Sequence, residues 1–102
     1  LALAAGPQAK LHHVAFEVHD WFDLAKGIYY LGEKGVPRVW GPGRHGAGNN
    51  VFSYFTDLEK NVIEYTCEME QVDESYVPRV WEPRGDEPDF WRVYPPPPAM
   101  PR

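Results

Sequence analysis

The spacing of apolar residues changes abruptly near Asp20, and this change limits the folds open to the chain. From Leu11 to Val18, in the stretch "LHHVAFEV", apolar and polar residues alternate. Because successive strand residues point to opposite faces of a sheet, this pattern predicts a half-buried strand. Beyond Asp20 the apolar residues recur at helical spacing, at Trp21, Leu24, Ala25, Ile28 and Leu31. A strand therefore passes almost directly into a helix.

Capping residues bound the predicted helix at both ends. Asp20 is a suitable N-cap, and the acidic Asp23 lies three residues further on. Gly32 and Gly35 follow the last apolar residue and end the helical pattern. The sequence therefore predicts a helix of about three to four turns.

Three more strand-like runs follow the helix. "VPRVW", Val36 to Trp40, predicts a short strand that leads into the Gly-rich and Pro-bearing loop "GPGRHGAGNN". "VFSYFTD" and "VIEYTCEME" are rich in β-branched and aromatic residues, and the short polar link "DLEKN" joins them. These two runs should pair as an antiparallel hairpin. The order β-α-β-β-β predicts an α+β module with one main helix.

The segment that begins at Gln71 has a different composition. Its many prolines exclude a regular helix or a central strand, so polyproline II or irregular coil is expected. Interleaved aromatic residues predict that part of this tail packs on the module. We therefore divide the chain into a lead-in (1–9), a βαβββ module (10–70) and a tail (71–102). The prolines are Pro78, Pro83, Pro88 and the run 95–98, and the aromatic residues are Trp81, Phe90, Trp91 and Tyr94.

Composition narrows the classes of partner. A chain of 102 residues with 43% hydrophobic residues fits one domain. The net charge is -5 and the ten Lys and Arg are scattered, which argues against nucleic acid or an anionic membrane as a partner. Cys67 is the single cysteine, so no disulfide forms within the chain and a cytoplasmic setting is favoured. The start "LALAAGP" is typical of an interior segment and not of a secretory signal.

Three motifs together resemble a known family. "HHVAFEV", "WGPGRHGAGNNVFSYF" and "NVIEYTCEMEQV", between Lys10 and Trp81, are similar to the vicinal oxygen chelate superfamily. More narrowly, they resemble the last module of the extradiol dioxygenases, which open catechols beside the two hydroxyl groups. The resemblance implies a curved, mixed sheet of the βαβββ type. It also implies cleavage of a catecholic ring with O2 at a non-heme Fe(II) site, with Mn(II) as the other possible metal.

The resemblance assigns roles to four residues of this chain. His13, in the first strand, and Glu64, in "IEY", match the positions of metal ligands. His45, in "GRH", matches a residue near the bound oxygen and substrate, where it would be an acid or hydrogen-bond donor. Tyr54 matches a residue that orients the substrate hydroxyl. His12 should face away from His13. The link "DLEKN" departs from the family's "DPDGN" turn, without touching a ligand position.

Residue chemistry agrees with these roles and also allows plainer ones. An imidazole and a carboxylate belong to the facial triad of two histidines and one carboxylate that non-heme Fe(II) oxygenases use. Alternation places Glu64 on one face with Val62 and Thr66, and a metal ion would relieve the cost of an inward carboxylate. The plainer roles are surface positions for the histidines and Glu64 and core packing for Tyr54, and for His13, Glu64 and His45 the resemblance favours the functional role. Cys67 is interpreted as a small buried hydrophobe.

A facial triad needs one more histidine than this chain convincingly supplies. In the family that histidine lies on a preceding module, here N-terminal to Leu1, so we expect either a longer enzyme or a homo-oligomer in which two copies pair. Two copies would bring together two His13 and two Glu64, a set closer to the glyoxalase members. A glyoxalase-type lyase or isomerase, and a non-catalytic protein that binds small aromatic molecules, therefore remain alternatives. In the tail, Arg79, Trp81 and Arg84 are candidates for closing over the pocket.

Overall fold

The computed structural model describes residues 1–81, 89–95 and 97. Within these residues the predicted β-α-β-β-β order is confirmed. The elements are β1 (Val14–Glu17), α1 (Trp21–Glu33), β2 (Arg38–Arg44), β3 (Val51–Thr56) and β4 (Val62–Cys67).

The four strands form one mixed sheet in the order β1-β4-β3-β2. β1 runs parallel to β4, whereas β4 with β3 and β3 with β2 are antiparallel. The predicted β3–β4 hairpin is therefore confirmed. Its turn closes without the Pro and Gly of the family pattern. The carboxylate of Asp57 instead accepts hydrogen bonds from the amides of Glu59 and Asn61 at 2.9 and 2.8 Å, and Lys60 adopts a φ of 70°.

Helix α1 begins where the capping pattern predicts. Asp20 is in an extended conformation, and its Oδ1 accepts a hydrogen bond from the amide of Asp23 at 2.9 Å. The helix continues through Gly32 to Glu33, so the expectation that Gly32 ends it was wrong. Gly35, with a φ of 72°, adopts the left-handed conformation typical of a helix C-terminus. Among the described residues no helix is long and apolar enough to cross a membrane.

All four strands differ from their predicted bounds, and β3 and β4 end earlier than predicted, at Thr56 and Cys67. β1 begins at Val14 and not at Leu11. β2 starts at Arg38 and not at Val36. It ends at Arg44, so it includes "GPGR", the first four residues of the predicted loop. A proline is tolerated there because β2 is an edge strand, where a missing amide donor breaks no ladder on the open side. Gly41 has a φ of 100°, and a Cβ on it would lie 2.8 Å from the carbonyl oxygen of Phe52.

The two faces of the sheet have different partners. α1 covers one face, where Leu24, Val51 and Cys67 are buried against each other. The burial of Cys67 agrees with its interpretation as a small hydrophobe. The opposite face carries a second cluster in which Phe52, Tyr54 and Val62 are buried and Val39 and Trp40 are partly buried. The candidate site lies on this second face, away from the helix.

Part of the tail contacts the module at the end of β2. The amide of Phe90 donates to the carbonyl oxygen of Arg44 at 2.8 Å, and Oδ1 of Asp89 accepts from the amide of Arg44 at 3.1 Å. The ring of Trp91 lies 4.6 Å from that of Trp21 on α1. These contacts join the end of β2 to the start of α1. Arg84 and Pro83 lie outside the described residues.

Candidate metal and substrate site

Strand register brings the predicted site residues to one face. Glu64 is the register partner of Ala15 on β1 and of Tyr54 on β3. His13 directly precedes β1, and its contact with Glu64 shows that it lies on the same side of the sheet. His45 follows β2 directly and completes the group. Residues far apart in the sequence thus meet on the face that α1 leaves uncovered.

His13 and Glu64 are in direct contact. Nε2 of His13 and Oε2 of Glu64 lie 2.9 Å apart, and the side chains are 27% and 6% exposed. Burial lowers the pKa of His13 and raises that of Glu64, because removal from water disfavours the charged form of each. The nearby charge of His45 and hydrogen bonds from Tyr54 and Asn50 partly oppose the shift at Glu64. Burial therefore favours the neutral imidazole, the form that binds metals.

His45 connects Tyr54 to the same carboxylate. Its Nε2 lies 3.0 Å from the hydroxyl oxygen of Tyr54 and 3.7 Å from Oε1 of Glu64. The imidazole stacks on the ring of Phe52, with 3.8 Å between centroids. Burial, with a further contribution from the charge of Glu64, raises the pKa of Tyr54 far above its usual value. The hydroxyl therefore keeps its proton and can donate it in a hydrogen bond.

Sequence reasoning gave no role to two polar residues beside Glu64, Asn50 and Thr66. Nδ2 of Asn50 donates to Oε1 of Glu64 at 3.3 Å and to Oγ1 of Thr66 at 2.6 Å. The Thr66 hydroxyl in turn donates to the carbonyl oxygen of Val51 at 2.8 Å. Alternation placed Thr66 on the face of Glu64 but gave it no role. Asn50 precedes β3, so its place depends on loop geometry that no sequence pattern encodes.

An aromatic wall borders the imidazole of His45. Trp40 lies against Phe52 and Tyr54, at 4.7 and 5.8 Å between ring centroids, and 5.8 Å from the ring of His45. The indole Nε1 of Trp40 is buried and has no hydrogen-bond partner among the described residues. A flat apolar wall beside polar groups is a common composition for a small-molecule site.

His12 does not face away from His13 as expected. The two Nδ1 atoms lie 2.7 Å apart, and the ring centroids are 4.9 Å apart. Strand pairing starts only at Val14, so strict alternation does not govern the two residues before it. The outer nitrogen of the His13 ring therefore has a hydrogen-bond partner in His12.

Another group of possible ligands lies at the start of α1. In the described part of the chain, ligand atoms of His19, Asp20 and Asp23 lie within 4.8 Å of one another. His19 and Asp20 are exposed, and the Asp20 carboxylate already caps the helix. Helix capping accounts for this group without a metal.

The site on the sheet face has a donor set that fits a divalent cation. One imidazole nitrogen and one carboxylate oxygen converge at hydrogen-bond distance from elements far apart in the chain. Ionised Glu64 is costly in this buried position, and a cation is the most direct compensation for it. Two protein donors also leave room for further ligands.

Comparison with known proteins places this fold in a family. The family model described as Glyoxalase/Bleomycin resistance protein/Dioxygenase superfamily matches residues 2–65. The chain belongs to this superfamily, and the resemblance found from its motifs is confirmed.

Relatives within the superfamily include both dioxygenases and a glyoxalase. Metapyrocatechase 2 of Cupriavidus necator is 32% identical over 88 residues, which are 84% of this chain and 26% of the relative. The Mn(II)-bound glyoxalase from Novosphingobium aromaticivorans superposes with a TM-score of 0.80 at 40% identity, over 85% of this chain and 29% of that one. Homoprotocatechuate 2,3-dioxygenase from Brevibacterium fuscum, in complex with 3,4-dihydroxyphenylacetate, gives 0.74 at 26% identity, over 90% and 30%. The chain thus spans less than a third of the length of each relative.

Proposed function

We propose that this chain is the metal-binding module of an extradiol dioxygenase that cleaves a catecholic ring with O2. The single observation that carries the proposal is the convergence of His13 and Glu64, 2.9 Å apart, on the sheet face opposite the helix. The catechol dioxygenases among the relatives support the choice of substrate class.

In this proposal His13 and Glu64 hold Fe(II) or Mn(II). When bound, such an ion supplies Lewis-acid and one-electron chemistry that lets a catecholate react with O2. The role of the two residues is to bind the ion and to fix the side of the sheet on which substrate meets it. The low-polarity surroundings set by Phe52 and Trp40 strengthen the electrostatic interactions made there.

His45 and Tyr54 manage protons and orientation. The Tyr54 hydroxyl orients the substrate oxygen, and the 3.0 Å contact links it to Nε2 of His45. His45 donates a hydrogen bond or a proton to the oxygen that approaches the ring, since an imidazole exchanges protons near neutral pH. The stacking on Phe52 holds the imidazole in place for this transfer.

The remaining histidine ligand comes from another module in this proposal. The module lies upstream in a longer chain, or it is a second copy of this chain. Because the relatives are more than three times as long as the matched segment, we favour the longer chain.

The test is reconstitution of the full chain with Fe(II) under nitrogen, addition of catechol and exposure to air. A yellow ring-opened product supports the dioxygenase. We expect His13→Ala and Glu64→Ala to lose metal retention, measured by metal analysis after gel filtration. His19→Ala and Glu17→Ala, which change exposed residues, are the matched controls. If either site variant retains iron as well as the parent does, the ligand assignment is wrong.

A glyoxalase-type lyase is the second candidate, because the Mn(II)-bound glyoxalase has the higher TM-score and identity of the two structures compared above. Turnover of the adduct of methylglyoxal with a thiol, in the presence of Mn(II) and without O2 consumption, would favour it. Tight binding of catechol without turnover in either assay would instead favour a non-catalytic binding protein.

A further inference from the structure

We propose that Asn50 is a positioning residue that holds one oxygen of the Glu64 carboxylate and so directs the other oxygen to His13. Asn50 touches Oε1, whereas His13 touches Oε2, so the two oxygens have separate partners. This inference rests on the proposed function, because it assigns the direction of Oε2 to metal binding.

The hydrogen bonds around Asn50 have a fixed direction. The Thr66 hydroxyl has one proton, which it donates to the carbonyl oxygen of Val51, so its oxygen accepts from the amide of Asn50. Glu64 Oε1 also accepts in its ionised form. Both neighbours of Nδ2 are therefore acceptors, and a flipped amide would place an oxygen against two oxygens. This series of hydrogen bonds therefore fixes that the nitrogen of the Asn50 amide, and not its oxygen, meets the carboxylate of Glu64.

Asn50 is buried, so its contact with Glu64 is shielded from water. Asn50 is only 3% exposed, so its amide cannot exchange Glu64 for water without disturbing the core. A neutral N–H donor stabilises the ionised carboxylate and leaves its negative charge available to a cation. A lysine or arginine there would neutralise that charge instead.

The backbone of Asn50 also contacts His45. Its carbonyl oxygen accepts a hydrogen bond from the amide of His45 at 2.9 Å. That contact belongs to the backbone, so a side-chain substitution at Asn50 leaves its donor and acceptor in place. Side-chain variants therefore test the contact with Glu64 separately from the position of His45.

The test measures Mn(II) binding to the full chain by isothermal titration calorimetry. We expect Asn50→Ala and the similarly sized Asn50→Leu to weaken binding about 10- to 100-fold, the usual effect of losing a partner that orients a metal ligand. The Mn(II) electron paramagnetic resonance spectrum of any bound fraction should also change, because the freed carboxylate rotates. Asn49→Ala, at the neighbouring exposed residue, should bind as the parent does.

Thr66 supplies a second pair of variants if the Asn50 variants do not fold. Thr66→Val removes the acceptor that orients the amide and should weaken Mn(II) binding, while Thr66→Ser keeps the hydroxyl and should restore it. Parent-like affinity and spectrum in Asn50→Leu or Thr66→Val, with Glu64→Ala unable to bind, would overturn the role of Asn50 alone. Mn(II) binding by Glu64→Ala as tight as the parent's would overturn the proposed function itself.

Discussion

Glu64→Gln should make the metal-free protein more stable, although it should abolish metal binding. The substitution keeps the size of the side chain and an oxygen that can accept from Asn50, but it removes a charge whose side chain is only 6% exposed. Burial disfavours an ionised carboxylate but not a neutral amide of the same shape, so we expect a gain of about 1–3 kcal/mol at pH 8. Each kcal/mol corresponds to a rise in Tm of about 4–8 °C for a domain of this size.

The gain should depend on pH in a defined direction. Folding raises the pKa of Glu64 above its ordinary 4.5, mainly through burial. Between those two pKa values the folded state binds more protons than the unfolded state, so parent stability falls as pH rises above 4.5 through the folded pKa. Glu64→Gln lacks this loss. The difference between the two proteins should therefore be smallest at acid pH and grow toward a plateau as pH increases.

His13 changes stability in the opposite direction. Folding lowers its pKa from 6.5 through burial, so its neutral form contributes stability that is lost as pH falls through the lowered value. His13 contacts Oε2 of Glu64, so the comparison of parent with Glu64→Gln reports on Glu64 together with its effect on His13. Thermal and urea unfolding from pH 4 to pH 9 in a chelator measure the effect, and Glu17→Gln at an exposed position is the control.

Added metal should reverse the order of stability. Mn(II) at about 1,000 times its Kd would stabilise the parent by about 4.1 kcal/mol, more than the gain expected from Glu64→Gln, and would leave the variant unchanged. A Glu64→Gln protein that is less stable than the parent in chelator at pH 8, or a difference that does not vary with pH, would refute this reasoning.

Four other substitutions test separate parts of the site, the tail contact and the helix. Tyr54→Phe removes the hydroxyl 3.0 Å from His45 and should lower catechol turnover about tenfold, one hydrogen bond's worth, in an O2-uptake assay, while metal content stays at the parent level. His45→Ala should lower turnover about 10²- to 10⁴-fold with Mn(II) affinity unchanged, and a parallel loss of affinity would make His45 a ligand instead. Gly43→Ala should destabilise the fold by about 1–3 kcal/mol, since its Cβ would lie 2.5 Å from Oδ1 of Asp89. Gly32→Ala, which meets nothing within 4 Å, should be neutral or stabilising in the same urea titration.

Local signals account for the parts of the fold that the sequence predicted well. The Asp20 cap and the β3–β4 hairpin depend on residues within a few positions of one another, so a pattern in the sequence determines them. The extension of β2 through "GPG" depends instead on its position at the edge of the sheet. That position is fixed by the final order of strands, which no local pattern contains.

The residues of the candidate site also divide into those that the sequence predicted and those that depend on contacts between distant positions. Strand alternation was enough to put Glu64 on a common face with Thr66, and motif resemblance selected His13, His45 and Tyr54. The sequence did not predict a role for Asn50, because its amide contacts Thr66 and Glu64 from a loop that precedes β3. The docking of Asp89 beside Gly43 joins positions far apart in the chain, and only the small volume of the glycine hints at it.

The site residues come from two kinds of position in the sheet, and this difference suits their proposed roles. Glu64 and Tyr54 lie in the two central strands, paired on both sides, so their positions follow from the most constrained part of the sheet. His13 and His45 lie just outside strand ends, where the backbone has fewer neighbours. A carboxylate fixed by central strands and held by Asn50 gives a cation a defined place on the sheet face. In the proposed function the imidazoles meet that cation and the substrate from the strand ends, where stacking on Phe52 and the bond from the His45 amide to the carbonyl oxygen of Asn50 hold His45.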